Sequence, residues 1–146
     1  MNKTRLTLIA VLAGTALAGC TTVREAVTEA IAGTHDASLT GAQVVGMARD
    51  VDGSATAQLT VSDALDQICY DVNDLRNVGN VTRAGLYRGG MGMNGTPVLW
   101  LKQDETGDWK NCVNKSDWLE KSLDRSYTNY YIQIETDTGA IRGQFH

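Results

Sequence analysis

The sequence predicts an all-β fold, an antiparallel sandwich of short strands with one short helix, and three observations predict it. Apolar and polar residues alternate with a period of two through most of the chain after position 38. Clusters of Gly, Asn and Asp fall between these runs at short, even spacing. The composition, with 15 Gly, a single Pro and many Thr, Val, Ile and Tyr, suits pleated strands joined by tight turns.

The first segment differs in kind. Lys3 and Arg5 precede an apolar run over 6–17 that ends in Leu17-Ala18-Gly19-Cys20. A basic opening, a short apolar stretch and small residues before a cut are the layout of a secretory signal. The run is shorter than the roughly 20 residues of a spanning helix. Its ending resembles the lipobox of bacterial lipoproteins. That resemblance implies cleavage before Cys20 and acylation, palmitate included, of Cys20 as the new N-terminus. The other reading of the same residues is an ordinary signal cut after Ala16-Leu17-Ala18, which leaves Cys20 a thiol. Each buried acyl methylene adds roughly 0.8 kcal/mol of membrane affinity. Thr21, where an Asp would favour retention in the inner membrane, implies by the same resemblance the outer membrane of a Gram-negative envelope.

The segments expected are therefore a signal peptide over 1–19, a lipid-anchored tether over 20–38 and one β domain over 39–146. In the tether, Thr22-Val23-Arg24-Glu25 reads as a capping box. Val23, Ala26, Val27, Ala30 and Ile31 follow at helical spacing, and Gly33 closes the short helix. Docking on the domain, lying at the lipid surface and remaining a loose tether are all open to it. After the signal, 11 Lys and Arg face 17 Asp and Glu, a net charge of −6. An acidic domain without a basic run argues against nucleic acid as a partner.

Strands are expected over 39–45, 54–61, 67–72, 81–87, 97–101, 130–136 and 141–145. In the second, Ala55, Ala57, Leu59 and Val61 share one face; in the third, Ile68, Tyr70 and Val72 point inward and Cys69 outward. A helix over 114–123 carries Trp118, Leu119 and Leu123 as its apolar stripe, with Asn114 or Ser116 as cap. If Cys20 is acylated, Cys69 and Cys112 remain as a pair in an oxidising compartment, read as a disulfide, the other reading being two unpaired buried thiols. Their separation of 43 residues corresponds to about 4 kcal/mol of chain-entropy stabilisation. The bridge is expected on the outer side of the sandwich, fixing the segment 102–118.

Three stretches carry a resemblance: Leu39-Thr40-Gly41; Ala84-Gly85-Leu86-Tyr87-Arg88-Gly89 with Gly92-Met93-Asn94-Gly95; and Tyr130 to Thr136 followed by Gly139-Ala140-Ile141-Arg142-Gly143-Gln144. Together they resemble the CHRD domain, over residues 39–146. The resemblance implies an immunoglobulin-like or superoxide-dismutase-like β-sandwich that serves binding rather than catalysis. It also implies histidines at three positions where this chain has Gly85, Tyr87 and Glu135. With those absent together, no metal is expected on that face. If 137–140 form a four-residue hairpin loop, Glu135 lies opposite Arg142 and makes an ion pair, worth roughly 0.2–1 kcal/mol. Arg83, on the parity of Gly85 and Tyr87, is the second candidate partner.

The remaining chemistry is sparse. His35 in the tether and His146 at the terminus are isolated imidazoles. No Gly-x-Ser-x-Gly elbow or Cys/His pair appears. Asp50-Val51-Asp52-Gly53 has the wrong spacing for a calcium loop, since its twelfth position is Val61. The glycine-rich stretch 89–95 lacks the Lys-Ser/Thr ending of a phosphate loop. Trp109, in a polar stretch beside Gly107 and Asp108, is the aromatic expected to serve as an interaction anchor. The expectation is a non-catalytic, lipid-anchored envelope module without cofactor, taking an envelope protein or glycan as partner. The alternative is an extracytoplasmic enzyme of unrecognised type.

Overall fold

A computed structural model describes residues 33–62, 64–114 and 117–146. The signal segment, Cys20 and the tether helix lie outside the described residues. The elements are β1 (Gly33–Thr40), a 3-10 turn (Gly41–Gln43), β2 (Ser54–Ser62), β3 (Gln67–Arg76), β4 (Val81–Arg88), β5 (Thr96–Trp100) and β6 (Trp109–Asn114), then α1 (Asp117–Ser126), a second 3-10 turn (Tyr127–Asn129), β7 (Tyr130–Thr136) and β8 (Ala140–Gln144).

All strands join one antiparallel sheet in the order β5-β4-β7-β8-β1-β2-β3-β6. The sheet curls so that its two halves face each other across a single core, giving the sandwich-like form. Alternation decides what enters that core. Ala55, Ala57, Leu59 and Val61 of β2 and Ile68, Tyr70 and Val72 of β3 meet Ala84 and Leu86 of β4, Ile132 and Ile134 of β7, and Ile141. Leu119 and Leu123, one helical turn apart, bring α1 onto the same core. Each fully buried Leu or Ile contributes roughly 1.5–3 kcal/mol.

The halves are joined where β1 meets β8, at Thr40 opposite Arg142. Gly143 makes the joint possible: a Cβ there would stand 2.8 Å from the Ser38 carbonyl oxygen and 2.9 Å from a Leu39 methyl. Any side chain at 143 would hold the two strands apart.

Three expectations are corrected. The first strand begins at Gly33 and ends at Thr40, so part of the expected tether is sheet; the chain turns at Gly41–Gln43 instead of extending to 45. The helix starts at Asp117 and runs three residues beyond 123, to Ser126. The stretch 109–114, expected as part of a long loop, is β6. It pairs with β3 from Gln67 opposite Asn114 to Val72 opposite Trp109, so ladder hydrogen bonds fix it as well as the disulfide does. Tyr70 secures the approach to β6: its hydroxyl donates to the Lys102 carbonyl at 3.0 Å and accepts from the Lys102 amide at 2.9 Å. The bridge joins directly opposed residues, Cys69 and Cys112, with Cα atoms 4.0 Å apart. Cys69 lies between the buried Ile68 and Tyr70 and is itself half-buried, on the outer side.

Candidate functional site

β7 and β8 are buried on both faces. One face is the core; the other is a second, mostly polar cluster on the outside of the sheet. There β4 supplies Arg83, Gly85 and Tyr87, β7 supplies Tyr131, Gln133 and Glu135, and β8 supplies Arg142 and Gln144. The ladder sets Gly85 and Arg142 on either side of Gln133, and Tyr87 and Gln144 on either side of Tyr131. Residues 85, 87 and 135, singled out in the sequence, thus share one face. The loop carrying Met47 folds over it and places the thioether 3.3 Å from Gln133 Nε2.

Glu135 is the centre of one half of the cluster. Arg83, directly opposite on β4, donates to its Oε2 from Nε at 3.1 Å and from the terminal nitrogen at 2.6 Å. Tyr87 Oη and Gln133 Nε2 each donate to Oε1 at 3.3 Å. The carboxylate raises the Arg83 guanidinium above its ordinary value through that hydrogen bond and its charge. Burial, and after it the negative charge of Glu135, push the Tyr87 phenol up to about 12.

The expected Glu135–Arg142 pairing is corrected. β7 and β8 are joined by a tighter turn, in which the Thr136 amide donates to the Gly139 carbonyl at 2.7 Å. The register therefore sets Glu135 opposite Ala140 and Arg142 opposite Gln133. The slip is two residues, so both side chains keep their face while the partner changes.

Arg142 forms the other half. It is 1 % exposed, and its fork reaches the Met93 carbonyl at 2.8 Å, the Gly90 carbonyl at 2.9 Å and Gln144 Oε1 at 3.1 Å. The guanidinium lies 3.5 Å from the Tyr131 ring centroid. Carbonyl dipoles and the negative face of the ring take the place of a counter-ion. Burial lowers the Arg142 pKa from its ordinary value. Gln144 Nε2 lies 2.7–3.0 Å from the carbonyls of Gly89, Thr128 and Tyr130. Together these side chains convert the glycine-rich stretch 89–95 from a free turn into a fastened cover.

Aromatic rings connect the halves. Tyr87 stacks on Tyr131 at 5.1 Å and meets Trp100 edge-on at 5.9 Å, while Arg83 stands 5.2 Å over Trp100. Gly85 allows this, because a Cβ there would come within 3.0–3.1 Å of both the Trp100 and Tyr87 rings. Trp100 remains 43 % exposed, with Met47 and Met93 exposed on the loops that cover the same face.

Other expected residues fall elsewhere. Trp109 is not an anchor on a loop: it opens β6 opposite Val72 and packs half-buried against the core. Trp100 holds the exposed position, a distinction that the flanking residues alone do not reveal. His35 stands in β1 and stacks on Tyr127 at 4.0 Å, while the His146 amide donates to the Asp36 carbonyl at 3.2 Å. Asp104 organises its own turn by accepting from the Thr106 hydroxyl and from the amides of Asp108 and Thr106, and these hydrogen bonds, the hydroxyl's first, hold it below the usual carboxylate range. Among the described residues no three His, Cys, Asp or Glu side chains gather as a metal-holding group. Arg142 and Gln144 had no separate signal as buried polar anchors; the closing motif that contains them was the only pointer.

Among curated proteins and among solved structures nothing matches the chain. The profile of the CHRD domain matches residues 35–145. The match takes in β1 from His35 onward and all of β2 to β8, with the joint at Gly143 and the polar face of β4, β7 and β8. This chain belongs to the CHRD domain family.

Proposed function

We propose that this protein is a non-catalytic, lipid-anchored module of the cell envelope that binds an envelope protein or glycan through the exposed rim around the outer face of β4, β7 and β8. The observation that carries the reading is the mutual saturation of that face. Glu135 is bonded by Arg83, Tyr87 and Gln133, and Arg142 is spent on the backbone of the loop 89–95. A general base or nucleophile needs a group free to meet a substrate proton or carbon; these groups hold one another. At the edge of the face stand Trp100, Met47 and Met93, an exposed aromatic and two adaptable thioether side chains of the kind that anchor partners.

Lipid anchoring rests on the Leu17-Ala18-Gly19-Cys20 ending after a short apolar run, and the outer membrane on Thr21. Mass spectrometry of the membrane-extracted protein tests it. The expected result is an N-terminal, acylated Cys20, with Cys20→Ala abolishing the acyl mass. A mature chain starting at another residue, unmodified and in the soluble fraction, contradicts it.

A further inference from the structure

The polar face leaves unexplained a second feature at the end of the sheet where β4 stops and β7 starts. A cleft of about 260 Å³ lies between α1 and that sheet end. Arg88 enters it from the last position of β4, and Lys121 and Arg125 enter from α1. Ser122, Ser126 and Asn129 add neutral hydrogen-bonding groups, and among the described residues no carboxylate lines the cleft. The chain as a whole has 17 acidic residues against 13 basic, so three cations in one cleft are a local reversal of its charge.

The other cations of the sheet are occupied: Arg76 by Asp74, Arg83 by Glu135, Lys110 by Asp71 and Arg142 by carbonyls. Among the described residues no carboxylate meets Arg88, Lys121 or Arg125. Lys121 and Arg125 are one helical turn apart, where like charges repel. A helix C-terminus favours a cation in its last turn; it does not account for Arg88 arriving from a different element. The frame is also fixed. Tyr130 Oη donates to Ser122 Oγ at 2.6 Å, tying α1 to β7, and the Gly89 amide donates to the Asn129 carbonyl at 2.8 Å, tying the end of β4 to the turn after α1.

We propose that this cleft binds a phosphate group, held by Arg88 and Arg125 as planar donors and by Lys121 as a point charge. Ser122, Ser126 and Asn129 complete the shell. The phosphate belongs either to a soluble phosphorylated compound or to a phospholipid headgroup. The position favours the headgroup. Gly33, the first residue of β1, lies at this same end of the sheet by the pairing of β1 with β8, β8 with β7 and β7 with β4, and His35 stacks on Tyr127, the residue that follows α1. The phosphate site stands without the lipid anchor; only the headgroup as its source rests on the anchored reading above.

The test follows acylation of the Lys121 amine in the full chain, with Lys102, outside the cleft, as internal control. Labelled peptides are quantified by mass spectrometry. In neutral detergent at low ionic strength, inorganic phosphate is expected to slow labelling of Lys121 saturably by about tenfold and to leave Lys102 unchanged. The Arg88→Gln and Arg125→Gln variants, both on exposed side chains, are each expected to weaken that protection about tenfold. In phosphatidylcholine vesicles containing phosphatidylglycerol, protection of Lys121 without added phosphate identifies the headgroup as the source. A Lys121 that stays reactive there but is protected by phosphate identifies a soluble phosphate compound. The proposal is overturned if phosphate protects neither lysine, protects both equally, or protects Lys121 as well in the two variants as in the parent.

Discussion

Arg142 shows how one residue organises a surface. A lysine in its place keeps the charge but has no planar fork, so it cannot serve the carbonyls of Met93 and Gly90 together while lying flat on Tyr131. Arg142→Lys is expected to lower stability by about 2–4 kcal/mol. Limited proteolysis of the same variant should cut first within 89–95; unchanged denaturant midpoint and cleavage pattern contradict the role given to the fork. Tyr87 offers a test of Glu135. Its phenol, at about 12 against an ordinary 10, favours the neutral form in the folded protein. Stability from this raised value is fully present below pH 10 and declines as pH rises toward about 12. Ultraviolet titration, with Tyr87→Phe to identify the signal, should show that Glu135→Gln lowers the Tyr87 midpoint, because the carboxylate charge opposes phenolate formation. An unmoved midpoint contradicts the contact.

Among the elements, β6 carries the clearest lesson. Its sequence Trp-Lys-Asn-Cys-Val-Asn mixes polar residues onto both parities, since an edge strand buries little, and alternation therefore gave no signal. The cysteine pair was the legible part, read from count and compartment rather than from pattern. By contrast, β2 and β3 were plain in the sequence because one face is apolar throughout. The register of β7 and β8 was not, since a hairpin's pairing depends on turn geometry that Asp-Thr-Gly does not fix by itself. Parity survived the two-residue error, which is why the membership of the outer face was legible while the partner of Glu135 was not. Replacing both bridge cysteines by serine is expected to cost about 2–4 kcal/mol. Hydrogen exchange should then rise first along β6 and its ladder with β3, with β7 and β8 still protected. Uniform loss of protection contradicts a bridge that acts locally.

At the scale of the molecule, one sheet closes on itself through a narrow joint at Thr40 and Arg142, and β7 and β8, on one side of that joint, are covered on both faces. Fold class was legible because it depends on repeated local signals. The second polar cluster was not, because it arises when two loops far apart in the chain, around Met47 and Met93, fold over the same strands. The central claim is that the face where the family resemblance implies histidines is closed by Glu135, Arg83, Tyr87 and Arg142 as a self-satisfied structural cluster. Metal content measures this most directly, in protein purified without added metal and analysed by inductively coupled plasma mass spectrometry beside Glu135→Ala. The account predicts no stoichiometric copper or zinc in either protein. Equimolar copper or zinc in the parent, lost in Glu135→Ala, contradicts it.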